Sequence, residues 1–379
     1  MALVLNQEQE MLRDSALVFL RESAPVAQLR ALRDARDNDG FSRALWRSFA
    51  EMGFSGVLVP EAYGGLGLGQ VEAGAIMEAV GRNLSAVPFL STAVLAATML
   101  TRHGSEAQKQ RYLPSIVAGD LVMALALDEG AKHKPQRQQM RALAEGAVYR
   151  LDGEKTFVVD GHVADTLIVA ARTAGGDSDR GGITLFLVDR AAAGVKVERT
   201  VMVDAHNAAR IVFDGVRVDA DAVIGAPGQG WDMLDGVLDV GRAALAAELL
   251  GIADETFECT QSYLKERKQF GQIIGEFQAL QHRASSLFCD IEITRAVVLG
   301  SQQALDQSPA GAQALVSAAK ARAGASATLA VQESVQMHGG IGMTDELELG
   351  FFMKRARVAQ ELLGDANFHA DRWARLAAY

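Results

Sequence analysis

Cysteine is scarce: two of 379 residues, Cys259 and Cys289. Both fall inside helical patterns without metal-like spacing, which excludes a disulfide framework and suits buried thiols in a reducing compartment. Basic charge is also short, with 37 Lys and Arg against 47 Asp and Glu and a net charge of −10. That balance argues against nucleic acid as a partner, because phosphate backbones call for excess Lys and Arg. No apolar run approaches the ~18 residues of a membrane span, and the first residues become charged too soon for a secretory signal. His103, His162, His206, His282, His338 and His369 show no ligand spacing, so no metal is expected. What remains reads as a soluble cytoplasmic chain. Apolar residues make up 49% and charged residues 22%, which excludes disorder and provides core for two or three domains.

From Asn6, a plausible cap, Met11, Leu12, Ala16, Val18, Phe19 and Leu20 recur on one helical face until Pro25. Further helices are expected over 41–52, 71–81, 88–102 and 105–113. The glycines between 64 and 69 lack the Lys-Ser/Thr of a phosphate loop and read as a turn. At Leu121 the texture becomes β-rich, with strands expected over 121–127, 156–159, 166–171, 183–188, 195–203 and 211–218, separated by glycine turns. Helical periodicity returns at Trp231 and fills the rest of the chain. The expected fold class is α+β and multidomain: a helical domain over 1–120, a β-barrel or sandwich over 121–227 and a helical bundle over 228–379.

The stretch from Tyr263 to Gln281, YLKERKQFGQIIGEFQALQ, joins two helices through a turn. It offers Arg267, Gln269 and Phe270 on one side and Gln278 at a helix start, where unpaired N–H groups and the dipole favour phosphate. An arginine fork, an aromatic ring and two amides suit a nucleotide. They equally suit a plain helical hairpin with a charged tip.

Arg267, Gln269, Phe270, Gly271, Phe277 and Gln278, together with PEAYGGLGL at 60–68 and QMHGGIGMT at 336–344, resemble the signatures of the acyl-CoA dehydrogenase family. The resemblance spans nearly the whole chain. It implies a helical domain, a β-domain and a C-terminal four-helix-bundle-like domain, with FAD as cofactor and an acyl-CoA thioester as substrate. It further implies a tetramer and an electron-transfer flavoprotein as acceptor. By motif position, Arg267, Gln269, Phe270, Gln278, Gln336, Gly339 and Gly340 would hold the adenosine diphosphate end of a neighbouring subunit's FAD.

In this family a carboxylate base removes the α proton while the β hydride passes to the flavin. The two positions where family members carry that base hold Gly241 and Leu363 here. Among nearby acids, Asp239 points about 200° away from Gly241, whereas Glu248 returns to the same helix face about 10 Å further along. Asp365 and Glu361 flank the second position. Glu248 and Asp365 are therefore the candidate catalytic residues. The flavin cradle departs from the family too, reading Leu127-Asp128-Glu129-Gly130-Ala131-Lys132-His133-Lys134-Pro135 and Phe157-Val158-Val159. Lys132, His133, Lys134, Arg137 and Arg141 form a basic run that suits CoA phosphates, an acidic partner or plain solvation. The resemblance thus leaves two readings: a dehydrogenase with a displaced base, or the non-catalytic subunit of a two-chain dehydrogenase that completes the partner's dinucleotide site.

Overall fold

The structure, a computed structural model, describes residues 3–379, apart from the side chains of Pro309 and Ala310. Met1 and Ala2, the start of the 1–120 reading, lie outside the described residues. The helices are α1 (Gln7–Ser23), α2 (Val26–Asp34), α3 (Arg43–Glu51), α4 (Gln70–Asn83), α5 (Ala97–His103) and α6 (Glu106–Val117) before the strands. The strands are β1 (Met123–Ala126), β2 (Arg141–Glu145), β3 (Val148–Val159), β4 (Thr166–Arg172), β5 (Ile183–Asp189), β6 (Val195–Val201), β7 (Asn207–Asp219) and β8 (Val223–Ile224). Then come α7 (Gly230–Glu266), the hairpin β9 (Lys268–Gln269) and β10 (Gln272–Ile273), α8 (Gln278–Gln307), α9 (Pro309–His338), α10 (Leu349–Glu361) and α11 (Ala366–Leu376).

Tertiary contacts divide the chain into two units. One holds residues up to Asp34, Gln70–Ser85 and Arg242–Tyr379; the other holds Ala35–Gly69 and Ala86–Gly241. The division falls inside α7.

In the first unit α1 packs on α4, α4 on α8, α8 on α9, and α9 on both α10 and α11. Asn6 caps α1 in a capping box with Gln9. Where α4 meets α7 the backbones touch reciprocally. A Cβ on Gly81 would lie 2.2 Å from the Glu248 carbonyl oxygen, and one on Gly251 2.1 Å from that of Glu78. Only glycine permits such an approach.

In the second unit eight strands form one hydrogen-bonded sheet in the order β6-β7-β3-β2-β4-β5-β8, with β1 pairing to β4. β4 is buried along its whole length. Two readings of the sequence differ from this unit. Residues 89–96 are π-helical rather than the start of one α-helix. They are buried all round, so the apolar run carries no period to read. The Thr92 hydroxyl donates to the Met123 carbonyl and accepts from its N–H, tying this segment to β1. β2 and the first half of β3 carry no strand signal in the sequence, because four of the five β2 residues are exposed and the alternation is lost.

Candidate functional site

Phe270 and Gly271 form the two-residue turn between β9 and β10, with φ of 54° and 82°. Paired positive φ values mark a type I′ turn, and they aim Phe270 outward. Its ring is 88% exposed and meets Phe277 edge-on at 6.2 Å between centroids. Arg267 and Gln269 are exposed beside it. α8 opens at Phe277 without a side-chain cap, so its first N–H groups and the positive dipole end face outward at Gln278.

The second motif segment reaches the same place. Leu264, Ile274 and Met337 form a small core with Tyr263, Phe277 and Leu280 packed on it. Tyr263 stacks on His338 at 4.3 Å, and the imidazole Nδ1–H donates to the Ser334 carbonyl at 2.8 Å. Burial holds the His338 pKa below its ordinary value. Gln336, Gly339 and Gly340 follow as exposed residues, with Gly339 at φ 66° and ψ −142°, backbone that favours glycine. The tertiary structure therefore gathers two segments about sixty residues apart in sequence around one small core.

At the two candidate base positions, Gly241 lies within α7 and Leu363, at φ 55°, in the turn after α10. Two buried cations hold that turn by its carbonyls. Arg242 Nε donates to Leu363 O at 3.2 Å, and Lys320 Nζ donates to Gln360 O at 3.0 Å and Gly364 O at 3.3 Å. Burial, with Arg242 nearby, pushes the Lys320 pKa down to about 7. Glu248 is 1% exposed and bound to Arg355, Nε to Oε1 at 2.5 Å. Asp365 accepts from the Phe368 N–H at 2.8 Å and caps α11. Glu361 pairs with Arg357 at 3.1 Å along α10. Glu248, Asp365 and Glu361 are thus each engaged in structural bonds.

The loop after β1 is closed by its own carboxylate. Glu129 accepts from Lys155 Nζ at 2.6 Å, from Gln139 N at 2.6 Å and from Met140 N at 3.0 Å. Lys155 is wholly buried and also donates to Gln138 Oε1 at 2.5 Å; burial lowers its pKa to about 8. Phe157 is half exposed at φ 51°, and Val158 is buried. Cys259 and Cys289, expected to be buried, are both exposed, because α7 and α8 turn those faces outward.

Models of the acyl-CoA dehydrogenase N-terminal, middle and C-terminal domains match residues 6–120, 125–216 and 228–377. Mitochondrial isovaleryl-CoA dehydrogenase of Pongo abelii is 30% identical, over 93% of this chain and 85% of that protein. The chain belongs to the acyl-CoA dehydrogenase family. Among solved structures, the Tcur3481–Tcur3483 steroid ACAD is 31% identical with a TM-score of 0.88, covering 98% of both chains. A chain of the ChsE4–ChsE5 complex from Mycobacterium tuberculosis is 28% identical with a TM-score of 0.87, covering 100% of this chain and 99% of that one.

Acyl-CoA dehydrogenases are FAD-dependent oxidoreductases acting on CH–CH bonds, and FAD is the cofactor of this chain. The residues that motif resemblance assigns to the two ends of FAD suit those ends unequally. The hairpin, the uncapped α8 and the 336–340 turn provide a cationic fork, an exposed ring and outward N–H groups, a donor set suited to adenosine diphosphate. On the loop side, the Glu129 carboxylate already occupies the N–H groups of Gln139 and Met140, and Phe157-Val158-Val159 presents no hydroxyl.

Proposed function

We propose that this chain is the subunit of a two-chain acyl-CoA dehydrogenase that does not carry the catalytic base. The carrying observation is the state of the candidate base region: Gly241 and Leu363 have no carboxylate, Glu248 is buried against Arg355 and Asp365 caps a helix. A general base must reach the proton it removes and exchange it with solvent or a relay. A buried, ion-paired glutamate does neither.

In this reading Arg267, Gln269, Phe270, Gln278, Gln336, Gly339 and Gly340 complete the adenosine diphosphate site of a related, base-carrying chain. The likeness to a chain of the ChsE4–ChsE5 complex supports a two-chain assembly, here a heterotetramer. Bound FAD supplies the hydride acceptor for α,β-dehydrogenation of an acyl-CoA thioester. Residues of this chain contribute binding and orientation, the partner contributes the base, and an electron-transfer flavoprotein takes the electrons.

The test is the visible spectrum of the chain purified alone and again after co-expression with a base-carrying family member. Little flavin absorbance alone, and stoichiometric flavin with turnover in the co-purified assembly, is expected. Stoichiometric FAD and acyl-CoA turnover by the chain alone would overturn the reading.

A further inference from the structure

We propose that Glu78 and Asp254 share a proton where α4 meets α7, so that acidification tightens the hold of α4 on its neighbours. Both acids sit beside the reciprocal backbone contact made by two glycines. Glu78 lies three residues before Gly81 on α4, and Asp254 three residues after Gly251 on α7. That spacing keeps each acid on the glycine's face of its helix, so the close approach of the backbones also draws the carboxylates together.

One guanidinium serves both acids. Arg295, from α8, places Nη1 3.5 Å from Glu78 Oε1 and Nη2 2.6 Å from Asp254 Oδ1. The two side chains are largely buried, 16% and 7% exposed. Asp254 Oδ2 is buried and, among the described residues, accepts no hydrogen bond; it lies 3.9 Å from Arg82 Nη1. A buried acceptor without a donor costs free energy. Protonated Glu78 is a donor on the facing helix.

The surrounding cations are drawn elsewhere as well. Arg82, on α4, pairs with Glu258 and with Glu255 at 3.1 Å. From α1, Arg21 reaches Glu255 at 3.5 Å and Arg13 pairs with Asp14 at 2.9 Å. Arg295 also holds Glu292 at 3.1 Å. Arg21, Arg82 and Arg295 thus answer five carboxylates, and one proton relieves both burial and repulsion. Burial first and the Asp254 charge second raise the Glu78 pKa to about 7, against the pull of Arg295, Arg82 and Arg13. Burial raises that of Asp254 too. The unfolded chain releases the Glu78 proton near pH 4.5. Between these values the folded state binds more protons, so stability falls as pH rises.

The device stands whichever chain carries the base. The experiment is hydrogen exchange of the α4 amides in the full chain, read by mass spectrometry from about pH 5 to 8, with Glu78→Gln alongside. Glutamine keeps a donor and cannot ionise. Comparing the two proteins at each pH cancels intrinsic exchange rates and every titration they share, Lys320 included. Wild-type protection relative to the variant should fall about tenfold or more across this range. If the glutamine protein does not fold, Glu78→Met takes its place. Asp254→Asn, compared with the same protein also carrying the Glu78 substitution, should show the fall centred at lower pH, because the repelling charge is gone. A ratio constant with pH would overturn the proposal. A fall centred at the same pH after Asp254→Asn would mean that Glu78 holds its proton alone, and would overturn the sharing.

Discussion

Glu248 and Arg355, 107 residues apart in sequence, form a buried ion pair with the guanidinium Nε 2.5 Å from Oε1. Both are at most 6% exposed. Each charge depends on the other, because removing one leaves its partner desolvated and uncompensated. Glu248→Gln should therefore lower stability by about 3–5 kcal/mol in urea unfolding. The double change Glu248→Leu with Arg355→Met should recover most of that loss. A Glu248→Gln protein of unchanged stability but abolished turnover would instead make this carboxylate a base.

Asp365 caps α11 through the Phe368 N–H. Asp365→Ala should cost about 1 kcal/mol, and Asp365→Asn, which keeps an accepting oxygen, much less. Turnover of the assembled enzyme should survive both. If Asp365→Asn abolished turnover while keeping stability, the capping role would not be the whole account.

Phe270 makes its contacts from a turn and is 88% exposed. Phe270→Ala should leave the stability of the isolated chain within about 0.5 kcal/mol of the wild type. In the assembly, flavin retained after desalting should fall under the proposal that this ring covers a dinucleotide. Unchanged flavin retention would remove Phe270 from the cofactor site.

Lys320 has its pKa pushed down to about 7, with burial the larger cause and Arg242 the second. The unfolded chain keeps this proton up to about pH 10.5, so between these values the unfolded state binds more protons and stability rises with pH. Below about pH 7 the cost of burying the charge is fully present. Lys320→Met removes the titration along with the two carbonyl bonds. Comparing urea midpoints from pH 6 to 9.5, the wild type should gain on the variant as pH increases. Parallel profiles would place the Lys320 titration outside this range.

Legibility varied with how local the cause was. The cap at Asn6, the helical stretches and most buried strands were readable because caps and periodicities act within a few residues. The exposed β2 and the uniformly buried π-helical turn were not, since neither shows alternation or a helical stripe. In the candidate site the motif residues could be named beforehand, yet the Tyr263–His338 stack that joins their two segments could not. Glu248 was legible as a helix-facing acid, but Arg355 as its partner was not. Helical phase gives a direction and says nothing of what another helix brings to meet it.

By itself the sequence determined the family, the caps and turns, and the missing carboxylates at Gly241 and Leu363. Those are properties of residue identity and short-range backbone preference. Only the tertiary structure decided that α1, α2 and α4 join the C-terminal helices in one contact unit while α3, α5 and α6 join the sheet. It alone closed Glu129 onto Lys155. Both outcomes depend on how distant surfaces pack and which buried charges find partners, free energies that no single segment carries.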